Sequence, residues 1–369
     1  MLRTAIYTGV FLRILVTIWN SFFGPSIGAD MDALSFHLKA VEYKNNFIFD
    51  EFVIGWIYSY VLGLFYYVTT DSLFLGSLLS CVAWFLSAIL LVKCFRMLSV
   101  AHDLQVKAML IYALVPSSVL ITSITLREPY QLLFVNLAIY AALKIYLHKA
   151  IRHWFTLCVA VAGAGMLHGA LFAWGLFFIA ATLVMVSVRG NKGISLPKLG
   201  MATPVAVIVI VYGFSFFSNV SYSLENGLVS AVEVYQKGVI SIDARANYRS
   251  AIAISDLGSL LVFIPVSLFQ YLLEPFPWHV SAAGDIVVVL ENILRGWLIW
   301  RVWKAVRIAS AQQRRVLVFV FILYLVMETI WSIGTGNWGT AIRHHIPAWG
   351  LLLLAAFAYR GRTVKQRSD

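Results

Sequence analysis

Charge is what this sequence has least of: Asp, Glu, Lys and Arg make up 12% of its 369 residues, against 61% hydrophobic. A soluble domain is about a quarter charged, so the shortage excludes an ordinary soluble fold. Cysteine is nearly absent too. Cys81, Cys94 and Cys158 are isolated, lie within or beside apolar runs and form no C-x-x-C, so neither a disulfide framework nor a zinc site is implied. The sequence shows no low-complexity linker, soluble domain or internal repeat, and residues 1–369 read as one integral membrane domain. Nor is there an aromatic–basic platform for bases, so the net charge of +11 does not point to nucleic acid.

What the chain has is a succession of apolar runs of membrane-spanning length. The first, MLRTAIYTGVFLRILVTIW, lacks a small-residue cleavage site and reads as a retained span rather than a signal peptide. Two segments, near 52–70 and 258–273, are ambiguous. If neither crosses, spans fall near 4–22, 72–92, 108–124, 130–147, 154–168, 169–188, 199–218, 285–303, 315–332 and 347–360. With the N-terminus inside, 19 of the 28 Lys and Arg then lie in cytoplasmic loops or at the cytoplasmic ends of spans and seven outside. If both segments crossed, the division would be 14 against 12. The positive-inside rule selects the first arrangement. The expected fold is all-α: a polytopic transmembrane bundle of about ten spans, both termini cytoplasmic, with two juxtamembrane elements on the extracytoplasmic side. The outer loops are 23–71, 125–129, 219–284 and 333–346, and most of the acidic residues fall in them.

The first outer loop reads GPSIGADMDALSFHLKAVEYKNN. Met31, Leu34, Leu38 and Val41 recur at helical spacing, with His37 and Lys39 facing elsewhere, so a helix lying on the membrane is expected. Asp30 and Asp32 at its start serve either as N-caps, as general bases toward an acceptor hydroxyl, or as ligands of a divalent cation. The second loop presents Arg127 and Glu128 ahead of Pro129, a pair suited to a structural role or to holding phosphate. In the third loop Arg245 and Arg249, at i,i+4, would form a two-pronged basic face beside Tyr248, and arginine forks match phosphate oxygens. Trp278 in Pro275-Phe276-Pro277-Trp278 sits in a rigid aromatic corner of the kind the interface favours in any case. Glu291 and Arg295 are expected to pair within a span. The last loop, GTGNWGTAIRHHIPAW, reads as flexible and presents Arg343 with His344 or His345 to an anion, or anchors its helix at headgroup level. Adjacent histidines do not share a helix face, so a two-His metal site is not expected. His168, in GMLHGA, reads as a turn residue.

The order of a first span, an acidic outer loop, a non-spanning juxtamembrane helix and an inward second span resembles the GT-C superfamily of membrane glycosyltransferases. Here it is carried by ADMDALSFH, YSYVLGLFYYVTTDSLFLGSLLS and the span ending at Lys93. GADxDALxFH, PSS…LREPYQLL, PFPW and GNWGTAIRHHIPA also resemble membrane proteins of bacterial exopolysaccharide and O-antigen clusters, some of them Wzy-like polymerases. The resemblance implies transfer of a sugar or oligosaccharide from a polyprenyl-phosphate or -pyrophosphate donor to an acceptor glycan, at the outer face of a bacterial inner membrane. It implies Asp32 or Asp30 as the base. Arg127, Arg245, Arg249, Arg343, His344 and His345 would hold the donor phosphate, with His37, Glu128, Tyr248 and Trp278 in support. No cofactor is expected; membrane lipids and other polysaccharide-assembly proteins are the further partners. A single-sugar transferase and a lipid-linked oligosaccharide flippase are the alternatives.

Overall fold

The computed structural model describes residues 1–24, 30–46, 54–189, 246–248 and 256–358. The segment near 199–218 and most of the third loop, Arg245 and Arg249 included, lie outside them. In chain order the helices are α1 (Leu2–Phe22), α2 (Asp30–Asn46), α3 (Ile57–Val68), α4 (Leu73–Met97), α5 (His102–Leu114), α6 (Pro116–Ile121), α7 (Glu128–His148), α8 (His153–Leu167) and α9 (Gly169–Arg189). They continue with α10 (Leu257–Leu273), α11 (Ala283–Ile308), α12 (Ala311–Ile333), α13 (Trp338–His344) and α14 (Trp349–Phe357).

On α1 one stripe, Ala5, Gly9, Arg13, Thr17 and Asn20, is buried, while Tyr7, Phe11, Leu15, Trp19 and Phe22 face outward. Polar and small residues inside with large apolar ones outside would be unstable in water. It is the arrangement of an integral membrane protein. Among the described residues five helices are long and apolar enough to cross a membrane: α1, α4, α7, α9 and α12. The other expected spans differ from simple spanning helices. Helix α8 has 15 residues, and α14 has nine after a 3-10 turn at Ile346–Ala348. Helix α11 is 26 residues long but carries six ionisable side chains.

The two ambiguous segments are both helical and short. At 12 residues α3 reaches about 18 Å, well under the ~30 Å hydrocarbon layer. It lies on α2, where Gly63 permits the contact: a Cβ there would stand 2.7 Å from the Ala40 carbonyl oxygen. Helix α10, of 17 residues, starts at Asp256, whose side chain caps Ser259, and contains Pro265.

The segment expected as one span near 108–124 is broken. Pro116 has no N–H and disfavours helix in the residue before it, so α5 stops at Leu114 and α6 starts afresh. Both sides of the break are satisfied by buried charges. The Ser117 N–H and hydroxyl donate to the two oxygens of Glu291 at 2.7 and 2.6 Å. From α1, Arg13 donates to the Ala113 carbonyl (3.0 Å), to Thr122 (2.7 Å) and to Ser118 (3.1 Å), and lies 3.6 Å over the Trp84 ring. The carboxylate thus meets the positive start of α6 and the guanidinium the negative end of α5. This corrects the expected Glu291–Arg295 pair: Arg295 donates instead to Asn292 Oδ1 at 2.6 Å and the Leu272 carbonyl at 3.1 Å.

The core is organised on α14, every residue of which is buried. It packs against α4, α5, α7, α11 and α12. A helix apolar all round belongs in such a position. The residues leading into it, Arg343 to Pro347, are therefore held at one end of the bundle by a fixed central post.

Candidate functional site

The last outer loop is not flexible; it folds as α13. Asn337 caps it, its side chain accepting from the Thr340 N–H at 2.7 Å. The Trp338 indole donates to Asp285 at 3.0 Å. Residues 246–248 of the third loop pin the same turn: Tyr248 donates through its N–H to Gly336 and through its hydroxyl to the Thr335 carbonyl, at 3.0 and 2.9 Å. Tyr248 thus supports the last loop.

So positioned, Arg343 gathers the first and second loops. Its Nε and Nη2 donate to Glu128 Oε1 at 3.0 and 2.7 Å, and its Nη1 to Asp32 Oδ2. Glu128 is held in the first turn of α7, its side chain 3% exposed; Asp32, in the first turn of α2, is 57% exposed. Burial alone would lower the Arg343 pKa, but the two carboxylates outweigh it and raise the value. The second oxygen of Glu128 is buried without a hydrogen-bond partner among the described residues. Asp30 opens α2.

Beside this triad lies an aromatic floor. His344 stacks on Trp331 with centroids 3.9 Å apart, and His168 approaches the same ring at 4.3 Å. Thr335 has one hydroxyl proton, given to the Trp331 carbonyl at 2.8 Å. Its 2.9 Å contact with His344 Nδ1 is therefore one in which the ring donates. Nδ1 carries the proton and Nε2 keeps its lone pair. Burial, with His168, Arg343 and Arg127 nearby, holds the His344 pKa well below its usual value. Burial and the same two arginines push His168 down to about 3. Its Nδ1 accepts from the Ala170 N–H at 3.2 Å, as a turn residue should, yet its ring belongs to the floor. Arg127 donates to the Leu167 carbonyl at 3.2 Å and lies 5.6 Å from the Phe36 ring. His37 meets the Tyr66 hydroxyl at 2.9 Å.

Two expected residues lie elsewhere. His345 turns inward: Nδ1 meets Glu328 at 2.7 Å and Nε2 donates to the Tyr271 carbonyl at 3.2 Å, so it offers nothing to a phosphate. The physical reason is the one that separates adjacent positions on a helix. Trp278 is 74% exposed and stacks on Phe276 at 4.9 Å, an interfacial ring that touches none of the triad. His168, Trp331 and Thr335 were not legible as site residues. The Gly-Thr-Gly sequence at 334–336 was the one signal available for Thr335. Among the described residues no group of three or more His, Cys, Asp or Glu gathers as a metal site. The three cysteines are buried and free of disulfides.

Fold and site together define an all-α protein with five potential membrane spans among the described residues and a polar cluster drawn from separate loops. No protein-family model matches the chain, and no curated protein or solved structure is significantly similar to it.

Proposed function

We propose that the chain is a membrane glycosyltransferase of the GT-C kind, a bundle of about ten spans with both termini cytoplasmic. It transfers sugar or oligosaccharide units from a polyprenyl-phosphate or -pyrophosphate donor to an acceptor glycan on the outer face of a bacterial inner membrane, as a Wzy-like polymerase does. One observation carries the reading: Arg343 bonds both Asp32 and Glu128, joining three loops that the charge count puts on one side of the membrane. A lipid-linked donor is supported by the place of the cluster, at the end of a bundle with an apolar exterior.

In the reaction the acceptor oxygen forms a bond to the anomeric carbon. The carbon–phosphate oxygen bond breaks, its electron pair leaving with the phosphate. The acceptor proton goes to a base: the exposed Asp32 carboxylate, or His344 Nε2, whose lone pair is free to take it. No acid is needed for a phosphate leaving group, unlike glycoside hydrolysis. Arg343 and Arg127 meet the charge that builds on the phosphate, and loss of one such donor costs roughly a hundredfold in rate. His344, neutral, serves as an acceptor rather than as a phosphate-binding cation.

The test is sugar incorporation by the purified protein in vesicles with a synthetic polyprenyl-linked donor. Product from the wild type and none from Asp32→Asn supports the reading; full product from both Asp32→Asn and Asp30→Asn removes the carboxylate mechanism. A flippase is favoured by a different observation, the helix break held by Arg13 and Glu291, since transporters place polar groups on discontinuous helices near the midplane. Movement of the donor across the vesicle without glycan formation would select it.

A further inference from the structure

The outward face of α11 changes character along its length. Ile286, Leu290 and Ile293 are exposed first, then Trp297, Trp300 and Trp303, and then Lys304, Arg307 and Ile308. The cations fold back on rings four residues earlier. Arg301 lies 5.0 Å from the Trp297 centroid and 4.3 Å from Phe357, which turns it into the bundle. Lys304 Nζ and the Arg307 guanidinium stand 3.6 Å over Trp300 and Trp303, on the outside. Neither makes an ion pair among the described residues. The links α4–α5, α7–α8 and α11–α12 share this end of the bundle: Lys93 and Lys144 both approach the Tyr140 ring, and Tyr146 lines a surface cavity with Arg315. Cations flank each link (Lys93 and Arg96, Lys149 and Arg152, Arg314 and Arg315), and Asp103, in the first turn of α5, is the one carboxylate beside them among the described residues.

We propose that this end of α11 binds an anionic phospholipid of the surrounding leaflet, its phosphate on Lys304 and Arg307 and its glycerol region against Trp300 and Trp303. The proposal rests on the membrane reading and is independent of glycosyl transfer. The aliphatic, tryptophan and cationic zones follow the order of hydrocarbon, interface and headgroup. The charge asymmetry decides for an anionic over a zwitterionic lipid, because two cations without carboxylate partners lower their energy only beside net negative charge. Stacking on tryptophan also holds the two side chains extended, which reduces the freedom lost on binding.

The test is titration of the purified full-length chain in detergent with brominated-chain phosphatidylglycerol and, separately, phosphatidylcholine, read by quenching of tryptophan emission. Phosphatidylglycerol is expected to quench at the lower concentration. Each of Lys304→Gln and Arg307→Gln should reduce that preference about fivefold, as one surface cation contributes about 1 kcal/mol. Trp300→Phe with Trp303→Phe should remove the part of the quenching by which phosphatidylglycerol exceeds phosphatidylcholine. Equal quenching by both lipids in the wild type would overturn the proposal. So would an unchanged preference in a folded single variant, or a phosphatidylglycerol preference that persists without the two tryptophans.

Discussion

Glu128 accepts two hydrogen bonds through one oxygen from the Arg343 guanidinium, at 3.0 Å from Nε and 2.7 Å from Nη2, although the two residues stand 215 positions apart in the chain. The pair is largely enclosed, while the third member, Asp32, is open to the outside. Two carboxylates on one cation therefore have different physical duties: one fixes the arginine, the other is presented.

That division is measurable. Glu128→Ala removes the enclosed partner of the guanidinium while Asp32 remains, and loss of a charged hydrogen-bond partner costs about 1.5–3 kcal/mol. A clear fall in Tm of the detergent-solubilised protein is expected. Asp32→Asn should change stability by no more than about 0.5 kcal/mol, as exposed sites do, while product formation stops. Equal destabilisation by the two substitutions would contradict the assignment.

Arg343→Lys keeps the charge and loses the fork. An ammonium cannot reproduce the planar geometry that serves Glu128 and Asp32 together. A rate about a hundredfold lower, at unchanged membrane abundance, is expected in the vesicle assay. Wild-type rates with lysine would mean that charge alone is sufficient.

The two floor histidines set a pH dependence. His168 is depressed from 6.5 to about 3 in the folded protein. Its contribution to stability is complete above pH 6.5 and declines as pH falls toward 3, because there the unfolded chain binds the proton and the folded one does not. The slope approaches about 1.4 kcal/mol per pH unit. Thermal unfolding between pH 7 and 5 should steepen less in His168→Asn than in the wild type. His344 is depressed likewise. The rate should consequently show no inflection near pH 6.5, and one found there would remove His344 as a neutral acceptor.

Gly63→Val tests the support beneath Asp32. A side chain at 63 has no room against the Ala40 backbone, so α3 must move off α2. Overpacking of this kind costs about 1–3 kcal/mol. Reduced product with the protein still folded is the expected outcome, and full activity would show that the α2–α3 contact does not position the acid.

The parts of this architecture that were legible in the sequence depend on one-dimensional signals. Apolar runs of spanning length marked α1, α4, α7, α9 and α12, and the segment near 52–70, set apart as ambiguous, forms the short helix α3. Asp32, Glu128 and Arg343 stood out as charges in outer loops of an otherwise apolar chain. What was hidden depends on contacts between distant elements. Glu291 and Arg295 match an intrahelical pair by spacing, but Ser117 and Asn292 claim them first. His344 and His345 are equivalent on paper, and only the positions of Trp331 and Glu328 separate them. The glycines of the last loop suggested flexibility, whereas Asn337 caps it as a helix.

The fully enclosed α14 has a consequence for biogenesis. It follows every other described helix in chain order, yet it fills the middle of the assembly. Earlier segments must enter the bilayer around a place that stays unoccupied until residues 349–357 leave the ribosome. Arg343 and His344 lie just ahead of them, so the polar cluster is completed only when that helix arrives. A nascent chain cut short before it would carry Asp32 and Glu128 without the cation that joins them.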